Sequence, residues 1–260
     1  MDTARDCERL GIVSVGRQVW FLLRTHPILS LFCLILLPSA WGNVGSWALV
    51  GVFGPASTPL SAALLRLAYL GWWAIALPPA MVAGFRLARG APMSWRLSWR
   101  SMRQLGSAFV WVTLVESAPL AALAVMGADV NPWQSIAIRG TCSTVSALLS
   151  ARTLLALPKL VARELEGRPL SLVAAFRTSI HETHGKTLAM FVWVVAPFVI
   201  AVGCAVVGAI LVQGNALQWI HSMSAVGSSL LIVVQLAAFF ALQRRLPGRS
   251  IEQVRRCNVT

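Results

Sequence analysis

The sequence predicts an all-α integral membrane protein with six transmembrane helices. Three observations predict it: long apolar runs, a scarcity of charge, and basic residues gathered in alternate connections. Of 260 residues, 57% are hydrophobic and 12% charged, about half the charged share of a typical soluble domain. Mean hydropathy is +0.71. A helix that crosses a bilayer needs about 20 mostly apolar residues, and several such runs occur. They do not alternate polar with apolar, as the strands of a membrane barrel would. In lipid only helices and closed barrels satisfy their own backbone, so helices remain.

The six spans fall at about 28–48, 62–85, 106–127, 140–162, 187–212 and 220–243. The first is expected to stay in the chain. Asp2, Asp6 and Glu8 precede it, and "LLPSAWG" after it lacks the A-x-A pattern of signal-peptide cleavage. Nineteen of the 22 Lys and Arg residues lie before span one, between spans two and three, in the last turn of span four (Lys159) or between spans four and five, or after span six. The positive-inside rule makes that side cytoplasmic, with both termini on it. Trp41, Trp47, Trp133 and Trp219 are then expected in an aromatic belt at the outer interface.

One phrase occurs twice. Gly90-Ala91-Pro92-Met93-Ser94 and Gly167-Arg168-Pro169-Leu170-Ser171 share G-x-P-x-S, and each leads to FVWV, at 109–112 and 191–194. Gly90 and Gly167 suit the left-handed residue that ends a helix. Pro92 and Pro169 suit the start of the next one. A short amphipathic helix is expected after each turn, lying in the membrane interface. In the first copy Trp95, Trp99 and Met102 share one face, and Arg96, Arg100 and Arg103 form the neighbouring stripe. In the second, Leu172, Phe176, Ser179 and Ile180 are expected on the apolar face. Near the N-terminus Ile12, Val15, Val19 and Leu22 align opposite Arg17 and Arg24. The single membrane domain, 1–260, therefore reads as three units, about 8–88, 92–162 and 169–245. Each is an interfacial helix followed by a helical hairpin. Ala76-Leu77-Pro78 and Ala156-Leu157-Pro158 add to the likeness of the repeats.

The stretches "GRQVWFLLRTHPILSL", "AGFRLARGAPMS" and "LPKLVARELEGRPLSLVAAFRTSIHETHGKTLAMF" resemble the YciC-like bacterial inner-membrane proteins. They are also similar to the membrane domain attached to some glycerophosphoryl diester phosphodiesterases. The resemblance covers most of the chain through short motifs. It implies a bacterial cytoplasmic (inner) membrane location and a membrane scaffold without the phosphodiesterase domain, and it transfers no catalytic residue.

Glu116 and Arg152 are the candidate intramembrane site. Each lies about ten residues from the cytoplasmic end of its span, roughly 15 Å deep at 1.5 Å per residue. A lone charge at mid-bilayer costs at least about 2.5 kcal/mol, and antiparallel neighbours would let these two form a pair. The pair reads either as a headgroup, ion or proton site or as a structural link between helices. Arg96, Arg100, Arg103 and, in the second copy, Arg177 are expected to contact anionic lipid headgroups, alongside their role as topology anchors. Arg66 is expected near the outer interface.

Other features have plainer readings. "HETH" at 181–184 has histidines one residue too close for the H-E-x-x-H metal motif, so it is expected to be a polar helix face. Trp72 and Trp73 are expected to pack rather than form a ligand cage. Ala225 and Ser229 have the small-residue spacing of close helix packing. The five cysteines are scattered singly, which predicts neither disulfides nor a metal site. The net charge of +13 accompanies no nucleic-acid module, and no nucleotide or dinucleotide fingerprint occurs. No cofactor, metal or nucleic-acid partner is expected. The partners expected are membrane lipids, anionic on the cytoplasmic face, and a membrane protein. The leading expectation is a non-enzymatic scaffold or accessory in envelope lipid handling. The alternative is a small transporter or channel using Glu116 and Arg152.

Overall fold

A computed structural model describes residues 12–54, 59–92, 94–126, 132–212 and 216–243. All regular elements among them are helical. Helix α1 (Ile12–Thr25) is followed by α2 (Pro27–Ser30), a π-helical segment (Leu31–Leu36) and α3 (Leu37–Phe53). These last three run on as one apolar stretch, Pro27–Phe53. Then come α4 (Pro59–Ala88), α5 (Trp95–Met126), α6 (Pro132–Thr153), α7 (Ala156–Leu165), α8 (Leu172–Thr183), α9 (Thr187–Val212) and α10 (Ala216–Gln243).

Among the described residues five helical stretches are long and apolar enough to cross a membrane. They are Pro27–Phe53, Leu67–Ala88, Gly140–Leu165, Thr187–Leu211 and Ala225–Gln243. The expected span 106–127 falls on α5; residue 127, and the side chains from 120 onward, lie outside the described residues.

A helix that is apolar all round belongs in a core, and α10 obeys this. Every residue from Ile232 to Phe239 is buried. Around α10 pack α1, α3, α4, α7 and α9, while α4 and α5 share the most extensive contact in the chain. Gly84 lets α4 approach α10 closely, since a Cβ there would collide with the Leu236 side chain. Next to it Phe85, Phe239 and Phe240 meet edge to face at 5.2, 5.3 and 5.7 Å between ring centroids. Helix α1 buries Val15, Gln18 and Leu22, and Ser30 Oγ closes the α1–α2 corner by donating to the Leu22 carbonyl at 2.8 Å. Ile12, expected on the apolar face, is half exposed.

The two G-x-P-x-S copies fold alike at the turn. Gly90 and Gly167 have φ of 63° and 69°. In the first copy Ala91 N–H donates to the Arg86 carbonyl and Gly90 N–H to that of Leu87. In the second, Arg168 N–H donates to Arg163 and Gly167 N–H to Glu164. Both are the paired bonds that close a helix through a left-handed residue. Ser94 and Ser171 then cap the next helix, accepting from Leu97 N–H at 3.4 Å and Ala174 N–H at 3.2 Å.

Beyond the caps the copies diverge. The first does not form a separate interfacial helix: its amphipathic segment and the following apolar segment are one helix, α5. In the second, Gly185 at φ 75° separates α8 from α9. The reason is length. The path from the capping Ser to FVWV is five residues longer in the second copy, Ser171 to Phe191, than in the first, Ser94 to Phe109. The buried faces of the two copies differ as well. α5 buries Ser98, Ser101, Leu105, Phe109 and Val112 and exposes Trp99. α8 buries Ala175, Ser179 and Thr183 and exposes Ile180.

Trp72 and Trp73 pack, as expected, and the surface they meet is glycine. A Cβ at Gly42 would lie 2.5 Å from the Trp73 ring, and one at Gly45 would lie 2.1 Å from the Trp72 ring. Trp41 stacks on Trp72 at 4.6 Å and 14°, and each indole N–H donates to the other residue's carbonyl at 3.0 Å. Trp41 is thus a packing residue on α3 that stays partly exposed; Trp47 is exposed, and the side chains of Trp133 and Trp219 lie outside the described residues. Ala225 and Ser229 are fully packed, and Ser229 Oγ bonds Ser39 Oγ at 2.9 Å.

Gly45→Ala should lower stability by about 1–3 kcal/mol, the usual cost of overpacking, because Trp72 must move and its bonds with Trp41 must break. Gly51→Ala, on the same helix with no atom near the added methyl, should leave stability unchanged. Thermal unfolding of the two variants in detergent checks the contrast.

Candidate functional site

The buried face of α5 runs through Leu105, Phe109 and Val112, and the same helical spacing carries it to Glu116. Glu116 therefore points into the bundle. Facing it, α6 presents Ser143, Ser146, Ser150 and Thr153 at i, i+3, i+7 and i+10, a single polar stripe. Three bonds join the two helices. Thr153 Oγ1 donates to Glu116 Oε1, the Ser150 hydroxyl bonds the same carboxylate, and Ser146 Oγ donates to the Glu116 carbonyl. Thr153 Oγ1 also reaches the Leu149 carbonyl at 2.9 Å, so its one proton serves either acceptor.

This polar seam opens on a cavity of about 540 Å³. Its wall takes Thr113 and Glu116 from α5, Ser143, Ser146 and Ser150 from α6, Tyr69 and Trp73 from α4, and Gln235 from α10. Val194 and Phe198 of α9 complete an apolar side. Among the described residues no Lys, Arg or His lines it.

Arg152 is not part of this wall. Successive helix residues point about 100° apart, so Thr153 faces α5 while Arg152 faces the α8–α9 corner. Its Nη1 donates to Thr187 Oγ1 at 3.0 Å. Among the described residues no hydrogen bond or ion pair joins Glu116 to Arg152. The expected charge pair is replaced by a carboxylate–hydroxyl cluster on one side and an Arg–Thr bond on the other.

Just past Thr153 the span breaks. Leu154 and Leu155 form a turn between α6 and α7, and α8 supplies partners for the freed backbone. Ser179 Oγ accepts from Leu155 N–H at 3.1 Å and donates to the Arg152 carbonyl at 2.9 Å. Thr183 Oγ1 reaches the same carbonyl at 3.1 Å. Lys159 of α7 pairs with Glu182 of α8 at 2.5 Å, both side chains mostly buried. Glu182 is thereby committed to a lysine, while His181 and His184 of the HETH segment are exposed.

The remaining expected site residues, Arg96, Arg100, Arg103 and Arg177, are all exposed on α5 and α8. The side chain of Arg66 lies outside the described residues. The sequence reading missed Ser146, Ser150, Thr153 and Gln235, and it placed Ser179 on a helix face without its role at the helix break. The first three carried a readable signal in their helical spacing, and Gln235 carried one in its apolar setting, LLIVVQLAAFF. Comparison with protein-family models, curated proteins and solved structures finds no match to this chain.

Ser179→Ala should cost about 1–3 kcal/mol, the penalty for a buried backbone donor left without a partner. Arg177→Ala, on the exposed face of the same helix, should be near neutral. Chemical or thermal unfolding of both variants in detergent tests the assignment.

Proposed function

We propose that the protein binds a small positively charged solute, a cation or a proton, in the cavity around Glu116, and that it acts as a small transporter or channel. The observation that carries this reading is a carboxylate in a hydroxyl-lined cavity whose wall holds no basic residue among the described residues. A buried charge without a partner is costly, and a bound cation or proton would supply the countercharge. Hydroxyl and amide oxygens at Thr113, Ser143 and Gln235 suit a cation's first neighbours, and Trp73 and Phe198 offer ring faces to an organic ammonium group.

Two further features support it. The helix that carries the polar stripe is broken beside the cavity, and transporters place solute sites at such discontinuous helices. The chain also contains an internal repeat, the common frame for such sites. In this reading α5 is the sixth span, its 32 residues being longer than the roughly 30 Å of hydrocarbon requires. The clustered basic residues place both termini in the cytoplasm. The likeness to YciC-like proteins belongs to the same proposal and locates it in a bacterial inner membrane. The cavity favours this reading over a scaffold, which has no need of an internal polar space.

Purified protein in liposomes, loaded with a pH dye and challenged with proton, alkali-metal and small ammonium gradients, tests it. Wild type should show saturable uptake of one of these, lost in Glu116→Gln while thermal stability is kept, and partly kept in Glu116→Asp. Uptake no faster than in empty liposomes, or equal uptake by Glu116→Gln, overturns the reading.

A further inference from the structure

A second concavity lies on the opposite side of α4. It measures about 260 Å³ and is formed by α3, α4 and the first turns of α5. Its wall is almost wholly carbon: Leu37 and Pro38, Ile75 and Pro79, and Trp99 and Met102 are typical. The polar atoms at its edge are already used. Ser98 Oγ donates to the Ser94 carbonyl at 3.2 Å, and Trp41 Nε1 to the Trp72 carbonyl. Nothing in the groove asks for a hydrogen-bonding ligand.

The groove has a direction. On α4 it extends from Ile75 to Ala83, and on α3 from Trp41 back to Cys33, about 12 Å along each helix. The helices run antiparallel: Trp41 meets Trp72 at one end, and Leu34 lies against Gly84 at the other. The second end is the one where α4 turns at Gly90 into α5. There Ser98, Trp99 and Met102 form its rim. The cavity is thus a slot parallel to the helix axes, with its mouth at the start of α5.

At that mouth stand Arg96, Arg100 and Arg103. Arg100 follows Trp99 and Arg103 follows Met102, so the arginine stripe flanks the rim. All three are exposed, and among the described residues none has an ion pair or hydrogen bond. No Asp or Glu occurs anywhere between Glu8 and Glu116, so α3, α4 and the first turns of α5 offer no acidic partner. An apolar slot of this shape, ending in unneutralised guanidinium groups, matches one chemistry. From this we infer a site for an anionic glycerophospholipid, with an acyl chain along α3 and α4 and its phosphate on Arg96, Arg100 and Arg103. Guanidinium groups bind phosphate oxygens in a planar, two-pronged fashion. Helix α8, the counterpart in the second copy, is packed against the α6–α7 break and has no equivalent slot among the described residues. The inference is independent of the Glu116 cavity.

Native mass spectrometry of the full-length protein, exposed to phosphatidylglycerol and phosphatidylcholine of identical chains, tests it. Wild type should retain phosphatidylglycerol about tenfold better, in line with the attraction of several charges near a lipid phosphate. The triple variant Arg96→Ala, Arg100→Ala, Arg103→Ala should lose that preference. Arg→Lys at the same three positions should keep part of it, and guards against a folding defect. Ala76→Phe, which fills the slot, should lose adducts of both lipids. A wild-type preference untouched by the arginine variants, equal retention of both lipids by wild type, or adducts unaffected by Ala76→Phe each overturns the site. Retention only of detergent or free fatty acid does the same.

Discussion

Ser179 bonds two backbone groups of a helix it does not belong to, accepting from Leu155 N–H and donating to the Arg152 carbonyl. A break in an apolar helix frees such groups, and hydrocarbon gives them no partner. The break between α6 and α7 is therefore possible only because another element covers it. That element is α8, the amphipathic helix of the second repeat. Its buried stripe is Ala175, Ser179 and Thr183, small and hydroxyl-bearing, which fits a backbone rather than an acyl layer. The Lys159–Glu182 pair adds a charged clasp one turn further on. The position of the break sets the directions of the residues before it: Thr153 toward Glu116, Arg152 toward Thr187.

The duplicated turn shows how one local sequence serves two ends. Gly, Pro and the capping Ser make the same corner in both copies, because the left-handed residue and the cap are local devices. The path of the chain beyond that corner depends on the five extra residues before the second FVWV. With them, α8 is a separate helix free to fold back on α6–α7. Without them, the same stretch is the first part of α5 and must keep that helix's direction. Its arginines are left outside and its Trp99 on the rim of the apolar groove.

The class of fold was legible because it rests on composition and on the length of apolar runs. So were the turns at Gly90 and Gly167 and the small-residue contact of Ala225 and Ser229. The partners of Glu116 and Arg152 were not, because a partner depends on azimuth, and one residue along a helix moves a side chain by about 100°. The contact of α8 with the helix break was not legible for a related reason. Ala175 and Thr183 look like solvent-facing residues until a broken backbone is set opposite them. The stacking of Trp41 on Trp72 was not legible either, because Gly42 and Gly45, which admit Trp73 and Trp72, carry no hydrophobic signal of their own.

The charges of the chain are divided in a way that bears on both proposed ligands. Basic residues outnumber acidic ones 22 to 9, yet among the described residues none of them lines the Glu116 cavity. Arg152, two residues from Ser150 of the cavity wall, is turned away by the helical repeat and held by Thr187. The field inside the cavity is therefore set by one carboxylate and by hydroxyl dipoles that can reorient toward it. Outside, at the start of α5, the opposite holds: three guanidinium groups with no acid in reach. An anion entering the cavity would meet Glu116 with no compensation, and a cation at the α5 stripe would meet three like charges. On the two proposals, the same helix would carry a site for positive charge on its buried face and one for negative charge on its exposed face. They lie some thirteen residues apart, Arg103 to Glu116, or about 20 Å along the axis. At that distance water and ions screen the exposed end, so neither site weakens the other.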